Sequence, residues 1–84
     1  MANTELVGTI RDMIAEIGEL DNPEQIGLDQ HLIEELGLDS MLLLEVLSSL
    51  EQTYSISIPE TEFPNMTSVN ACVQVVQRYQ EAAA

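Results

Sequence analysis

Apolar residues recur at spacings of three and four in three separate stretches of this 84-residue chain, and that rhythm dictates amphipathic helices. In the first stretch Leu6, Val7, Ile10, Met13, Ile14 and Ile17 share one side, while Glu5, Thr9, Asp12, Glu16 and Glu19 fall on the other. Asn3 or Thr4 is its expected N-cap, and Gly18 followed by Asp21-Asn22-Pro23 ends it. The second helix begins at Asp39 or Ser40 and runs to about Tyr54, with Asp39 as a good cap. Thr67 caps a last helix whose stripe is Val69, Cys72, Val73, Val76 and Tyr79. The expected fold is all-α: a small acidic bundle of three main helices plus a short helix, with a long ordered loop between helices one and two. It forms one domain over 1–84, with an ordered core from about residue 4 to residue 79 and a frayed tail over 80–84.

The connection from Leu20 to Leu38 is long, yet it carries Ile26, Leu28, Leu32, Ile33, Leu36 and Leu38. Such anchors predict a loop that lies against the core. Asp29 is expected to cap a single turn through His31–Leu36, with Gly37 as its left-handed stop. After the second helix, Ser55-Ile56-Ser57-Ile58 alternates like a short extended segment closed by Pro59. Residues 60–65 form a turn or short helix between Pro59 and Pro64.

Charge narrows the function. Arg11 and Arg78 are the only basic residues against 15 Asp and Glu, a net charge of −13. Nucleic acid is excluded as a partner, because binding it requires clustered Lys and Arg. An anionic membrane surface is disfavoured for the same reason. The expected partners are basic proteins or cations, and self-repulsion favours a monomer. A single cysteine allows no internal disulfide. The longest apolar run, Met41–Leu44, is far too short to span a bilayer. The first residues show neither a basic nor an apolar leader region, so the expected location is the cytoplasm.

The second helix has more apolar residues than one face buries. Stepping about 100° per residue from Ser40, the residues Val46, Leu50, Leu43, Tyr54 and Leu47 fall between about 240° and 340°, a core stripe. Met41, Leu44, Glu45, Ser48, Glu51 and Gln52 fall on a second, mixed apolar and acidic arc. That arc suits docking to another protein, although scattered surface hydrophobes are also ordinary. No catalytic constellation is visible. Cys72 lies on an apolar stripe and reads as core; His31 reads as a loop-packing residue. No metal-ligand spacing occurs, and Asp29, Glu34, Glu35 and Asp39 read as a solvated acidic surface. Ser40 opens a helix, where the positive dipole end favours an attached anion by roughly 0.3–1 kcal/mol. On local physics alone it is equally an ordinary cap-region serine.

The run Leu36-Gly37-Leu38-Asp39-Ser40-Met41 resembles the attachment motif of acyl carrier proteins. Leu32, Glu45, Leu50-Glu51, Ile58-Pro59 and Thr67-Ser68-Val69 sit at similar family spacing, so the resemblance covers essentially the whole domain. It implies a carrier and not an enzyme. Ser40 would bear a 4′-phosphopantetheine arm, installed from coenzyme A by a phosphopantetheinyl transferase with Mg²⁺, and the arm would hold acyl groups as thioesters. Asp39 matches the acid beside that serine and would help place the metal during transfer. Met41, Leu44, Glu45, Ser48 and Glu51 correspond to the family's partner-facing surface. The implied partners are acyl-loading and acyl-processing enzymes with basic or apolar docking patches. Leu42 and Leu43 depart from the fatty-acid carriers, which place acidic and small polar residues there, and this favours a discrete carrier of a specialised, polyketide-type pathway. Leu43 would partly fill any internal groove, so long acyl chains would not be sequestered. A peptidyl or aminoacyl carrier is the alternative within the class; an acidic helical adaptor without a prosthetic group is the alternative outside it.

Overall fold

The computed structural model describes residues 2–83, with side chains over 4–81. Helix α1 spans Ala2–Ile17, α2 spans Ser40–Tyr54 and α3 spans Val69–Ala83. Two 3₁₀ turns, Pro23–Gln25 and Glu60–Asn65, lie in the connections, and no strand occurs among the described residues. The all-α bundle expected from periodicity is the observed architecture. Its core joins Leu6, Ile10 and Ile14 of α1, Leu43, Val46, Leu47 and Leu50 of α2, and Val69, Cys72, Val73 and Val76 of α3. Ile26, Leu32 and Leu38 of the long connection, with Ile56, Ile58 and Met66, seal its edges.

Several boundaries differ from the sequence expectation. Helix α1 already includes Asn3 and Thr4, which lie within its first turn. Extending a helix by its first residues costs little, since those amides lack intrahelical partners in any case. Helix α3 is helical through Ala83, although a frayed tail was expected over 80–84. Gln80, Glu81, Ala82 and Ala83 are all good helix formers. Met1 and Ala84 lie outside the described residues. Ser68, and not Thr67, caps α3: its Oγ accepts from the Ala71 amide at 3.1 Å. The Thr67 carbonyl is instead engaged by the Leu32 amide at 2.8 Å, which ties the long connection to the entry of α3.

The end of α1 explains how that connection starts. Glu19 holds the left-handed conformation (φ 55°), and the Leu20 amide returns to the Ala15 carbonyl at 2.8 Å. Gly18, expected as the stop, has a different reason to be glycine. A β-carbon there would come within 3.1 Å of the Leu38 side chain. The absence of that carbon lets buried Leu38 pack directly on the end of α1.

Candidate functional site

The turn that leads into α2 is built by His31. Its Nδ1 accepts from the amides of Ile33 (3.2 Å) and Glu34 (3.1 Å), while Glu35 Oε2 reaches back to the His31 amide at 2.7 Å. This reciprocal arrangement works like a capping box. The cap of the turn is therefore His31 and not Asp29, whose carboxylate accepts from the Asn70 side-chain amide at 2.8 Å, an anchor onto α3. Gly37 closes the turn with φ +81°, as its position predicts, and the Leu38 amide returns to the Leu32 carbonyl at 3.0 Å. Leu38 is then buried, Asp39 is extended, and α2 begins.

Asp39 is the N-cap that its position predicts. Its Oδ1 accepts from the Leu42 amide at 2.9 Å, and its carbonyl accepts from Leu43 at 3.0 Å. Ser40 is the first helical residue and is exposed. Two of the first four amides of α2 are thus taken by Asp39, while those of Ser40 and Met41 have no partner among the described residues and lie at the positive end of the helix. A phosphodiester on the Ser40 oxygen fits this setting: the residue is exposed, and free amides and the helix dipole favour an anion beside it. The other acids of the region have partners of their own. Glu34 Oε2 lies 3.3 Å from His31 Nε2, and Asp29 and Glu35 are engaged as described. Among the described residues no three His, Cys, Asp or Glu side chains converge into a metal cluster.

Down α2 from Ser40, Met41 is 74% exposed and Leu44 is 48% exposed, an unusual display for large apolar side chains. With exposed Glu45 and Ser48, and with Ser49, they line a shallow groove of about 370 Å³. Glu51 behaves differently. It is half-buried, and its Oε2 accepts from the Ile58 amide at 2.9 Å, tying the segment after α2 back onto the helix. The first four residues share one surface; Glu51 is held at its edge by a structural bond.

Two features escaped the sequence reading. Glu62, in the second 3₁₀ turn, is buried and accepts from Asn65 Nδ2 (2.9 Å), Arg78 Nη1 (2.7 Å) and the Tyr79 hydroxyl (2.7 Å). The Tyr79 bond above all, then those from Asn65 and Arg78, hold the Glu62 carboxyl below its usual range although burial pushes it upward. In turn, Glu62 raises the Tyr79 hydroxyl above its ordinary value. The reciprocal His31–Glu35 cap is the second feature; the Glu four residues after His31 was its only signal. Cys72 is fully buried, and burial pushes its thiol up to about 12, so it is a neutral core side chain. No helix among the described residues is long and apolar enough to cross a membrane.

Comparison with known proteins agrees with this geometry. The family profile described as "Phosphopantetheine attachment site" matches residues 8–76. The anthracycline acyl carrier protein DpsG of Streptomyces peucetius is 31% identical over 84 residues, which is the whole of both chains. An acyl carrier protein of Streptomyces coelicolor is 31% identical over 80 residues, covering 95% of this chain and 84% of the relative. Among solved structures, a chain from "The ishigamide ketosynthase/chain length factor" superposes with a TM-score of 0.73 at 41% identity, covering 89% of this chain and 93% of that one. A helical bundle with an exposed serine at the head of its second helix and a profile match over most of its length leads to one conclusion: the chain belongs to the phosphopantetheine-attachment family of acyl carrier proteins, whose covalent prosthetic group is 4′-phosphopantetheine.

Proposed function

We propose that Ser40 is the attachment residue and that the protein carries acyl intermediates in a polyketide-type pathway, as a tether and not as a catalyst. The observation that supports it most is the exposure of Ser40 at the start of α2, where two amides have no partner among the described residues. Ser40 Oγ forms the new bond to the phosphorus that bears the pantetheine arm as the pyrophosphate bridge of coenzyme A breaks; adenosine 3′,5′-bisphosphate leaves, and the hydroxyl proton passes to the phosphopantetheinyl transferase. The Ser40 and Met41 amides and the helix dipole favour the resulting phosphodiester by roughly 0.3–1 kcal/mol. Asp39 holds the first turn of α2 in shape, and its carboxylate would help hold the Mg²⁺ that the transferase uses. Once installed, the arm supplies a terminal thiol that holds an acyl group as a thioester.

Met41, Leu44, Glu45 and Ser48 form the surface by which transferase and acyl-loading and acyl-processing enzymes recognise the carrier. Its chemistry, apolar side chains flanked by acid on a chain of charge −13, matches partners with basic and apolar patches. The polyketide assignment rests on the departures at Leu42 and Leu43 and on the full-length similarity to an anthracycline carrier. The protein works as a monomer in the cytoplasm.

Intact-mass measurement after incubation with coenzyme A and a broad-specificity transferase tests the assignment. A gain of one phosphopantetheinyl group on the wild type that is absent from Ser40→Ala is expected. No gain, under conditions that modify a control carrier, refutes it and leaves an acidic adaptor. Loading assays with acyl and aminoacyl donors then separate an acyl carrier from an aminoacyl carrier.

A further inference from the structure

A second groove, of about 410 Å³, runs along the seam between α1 and α2. Asp12, Met13, Glu16 and Ile17 form its α1 wall, and Ser49 and Thr53 its α2 wall. Ser49 also belongs to the groove beside Met41 and Leu44, so the two depressions meet there. The floor offers half-buried Met13 and Ile17, and the rim offers exposed Asp12 and Glu16.

Those two carboxylates work against the helix that bears them. They are one turn apart, where like charges destabilise a helix. Glu16 also lies in the last turn of α1, where the dipole disfavours an anion and no basic residue compensates. No hydrogen bond or ion pair reaches either side chain among the described residues. Neither arginine pairs with them among the described residues: Arg78 is held by Glu62, and Arg11 lines a different groove with Thr4, Val7 and Leu28. A local arrangement that opposes its own helix is the kind of conflict that a binding role explains.

We propose that this α1–α2 groove is the second half of the docking surface, and that it receives a segment of a partner enzyme bearing Arg or Lys beside an apolar side chain. The cation lies between Asp12 and Glu16, the apolar group covers Met13 and Ile17, and the contact continues past Ser49 onto Glu45 and Leu44. Charge complementarity selects a basic segment, and continuity with the α2 face selects a partner already bound there. The inference rests on the carrier reading and deepens it: partner recognition extends onto α1.

The test compares the wild-type chain, Asp12→Lys/Glu16→Lys, and a control, Asp21→Lys/Glu24→Lys, whose exposed side chains flank and enter the first 3₁₀ turn and which changes the net charge equally. Each is first converted to the holo form and checked by intact mass. Failure at that stage refutes the carrier reading and is seen before any docking measurement. Affinity of each holo chain for the ishigamide ketosynthase/chain length factor is then measured at low and at physiological salt. The groove variant is expected to bind about tenfold more weakly and to lose part of the salt dependence, while the control stays within about twofold. Equal affinity of groove variant and wild type overturns the proposal, as does an equal loss in the control. Absence of wild-type binding to this pair counts against it too. If circular dichroism shows the lysine variant unfolded, Asp12→Asn/Glu16→Gln is used, with an expected loss of about threefold.

Discussion

Removing the Asp39 side chain separates two roles that one carboxylate performs. Its Oδ1 caps α2 through the Leu42 amide at 2.9 Å, and its charge lies beside Ser40, the proposed attachment residue. Asp39→Ala deletes both acceptor and charge, whereas Asp39→Asn keeps an acceptor oxygen. Loss of such a cap costs about 0.5–2 kcal/mol, typically near 1. A domain of 84 residues holds roughly 4–13 kcal/mol of stability in all, so the loss is a sizeable share. At this chain length 1 kcal/mol moves the melting temperature by about 4–8 °C. Asp39→Ala is therefore expected to melt about 4–8 °C below wild type by circular dichroism. Asp39→Asn is expected to lie between them, having lost only the dipole interaction of about 0.3–1 kcal/mol. Holo conversion, followed by mass under steady-state conditions, reads the second role. Both variants slow if the carboxylate helps hold the metal. Should Asp39→Ala melt with the wild type, the cap contributes nothing; should Asp39→Asn convert at the wild-type rate, the carboxylate has no part in the transfer.

Other predictions follow from the core and from the buried carboxylate. Leu50 has no exposed surface, so Leu50→Ala is expected to cost about 2–5 kcal/mol in urea unfolding; a loss below 1 kcal/mol would contradict its central position. Glu62 is held below its usual range, so it stabilises the fold above the ordinary carboxylate value and this contribution drains away as pH falls through the folded value. The stability gap between wild type and Glu62→Gln is thus expected to narrow on acidification, and a gap that widens would reverse the sign of the argument. Leu43 is buried within the core, so loading a long acyl chain is expected to leave the NMR shifts of Leu43, Val46 and Leu50 nearly unchanged; large shifts there would mean that the chain enters the bundle.

Much of this was legible because it is local. The stripe Val46, Leu50, Leu43, Leu47 is a matter of helical period, and its phase alone turns Met41 and Leu44 outward. The start of α2 follows from Gly37 and Asp39, two residues whose backbone and side-chain preferences act within a turn. What the sequence hid is decided between distant segments. Thr67 and Ser68 are equally able to cap, and the choice falls to Ser68 because Leu32, far earlier in the chain, takes the Thr67 carbonyl. Asp29 is a better cap residue than His31 by propensity, yet Asn70 of α3 engages it. The buried Glu62 has no periodic signature, since its partners Arg78 and Tyr79 lie on another element. Glu51 falls at the edge of the mixed arc by its angle, and only the course of the chain after Tyr54 shows that the Ile58 amide comes back to it.

The wedge of Leu38 against the bare backbone of Gly18 has a mechanical meaning for a protein that moves cargo. It braces the start of α2 against α1 from behind, while the Asp39 cap holds the first turn, so that under the proposed role the Ser40 oxygen would serve as a fixed pivot. All travel then belongs to the flexible arm, whose swing starts from the same point in every encounter. An enzyme that grips the neighbouring helix acquires, with the grip, the origin of the radius on which its substrate arrives.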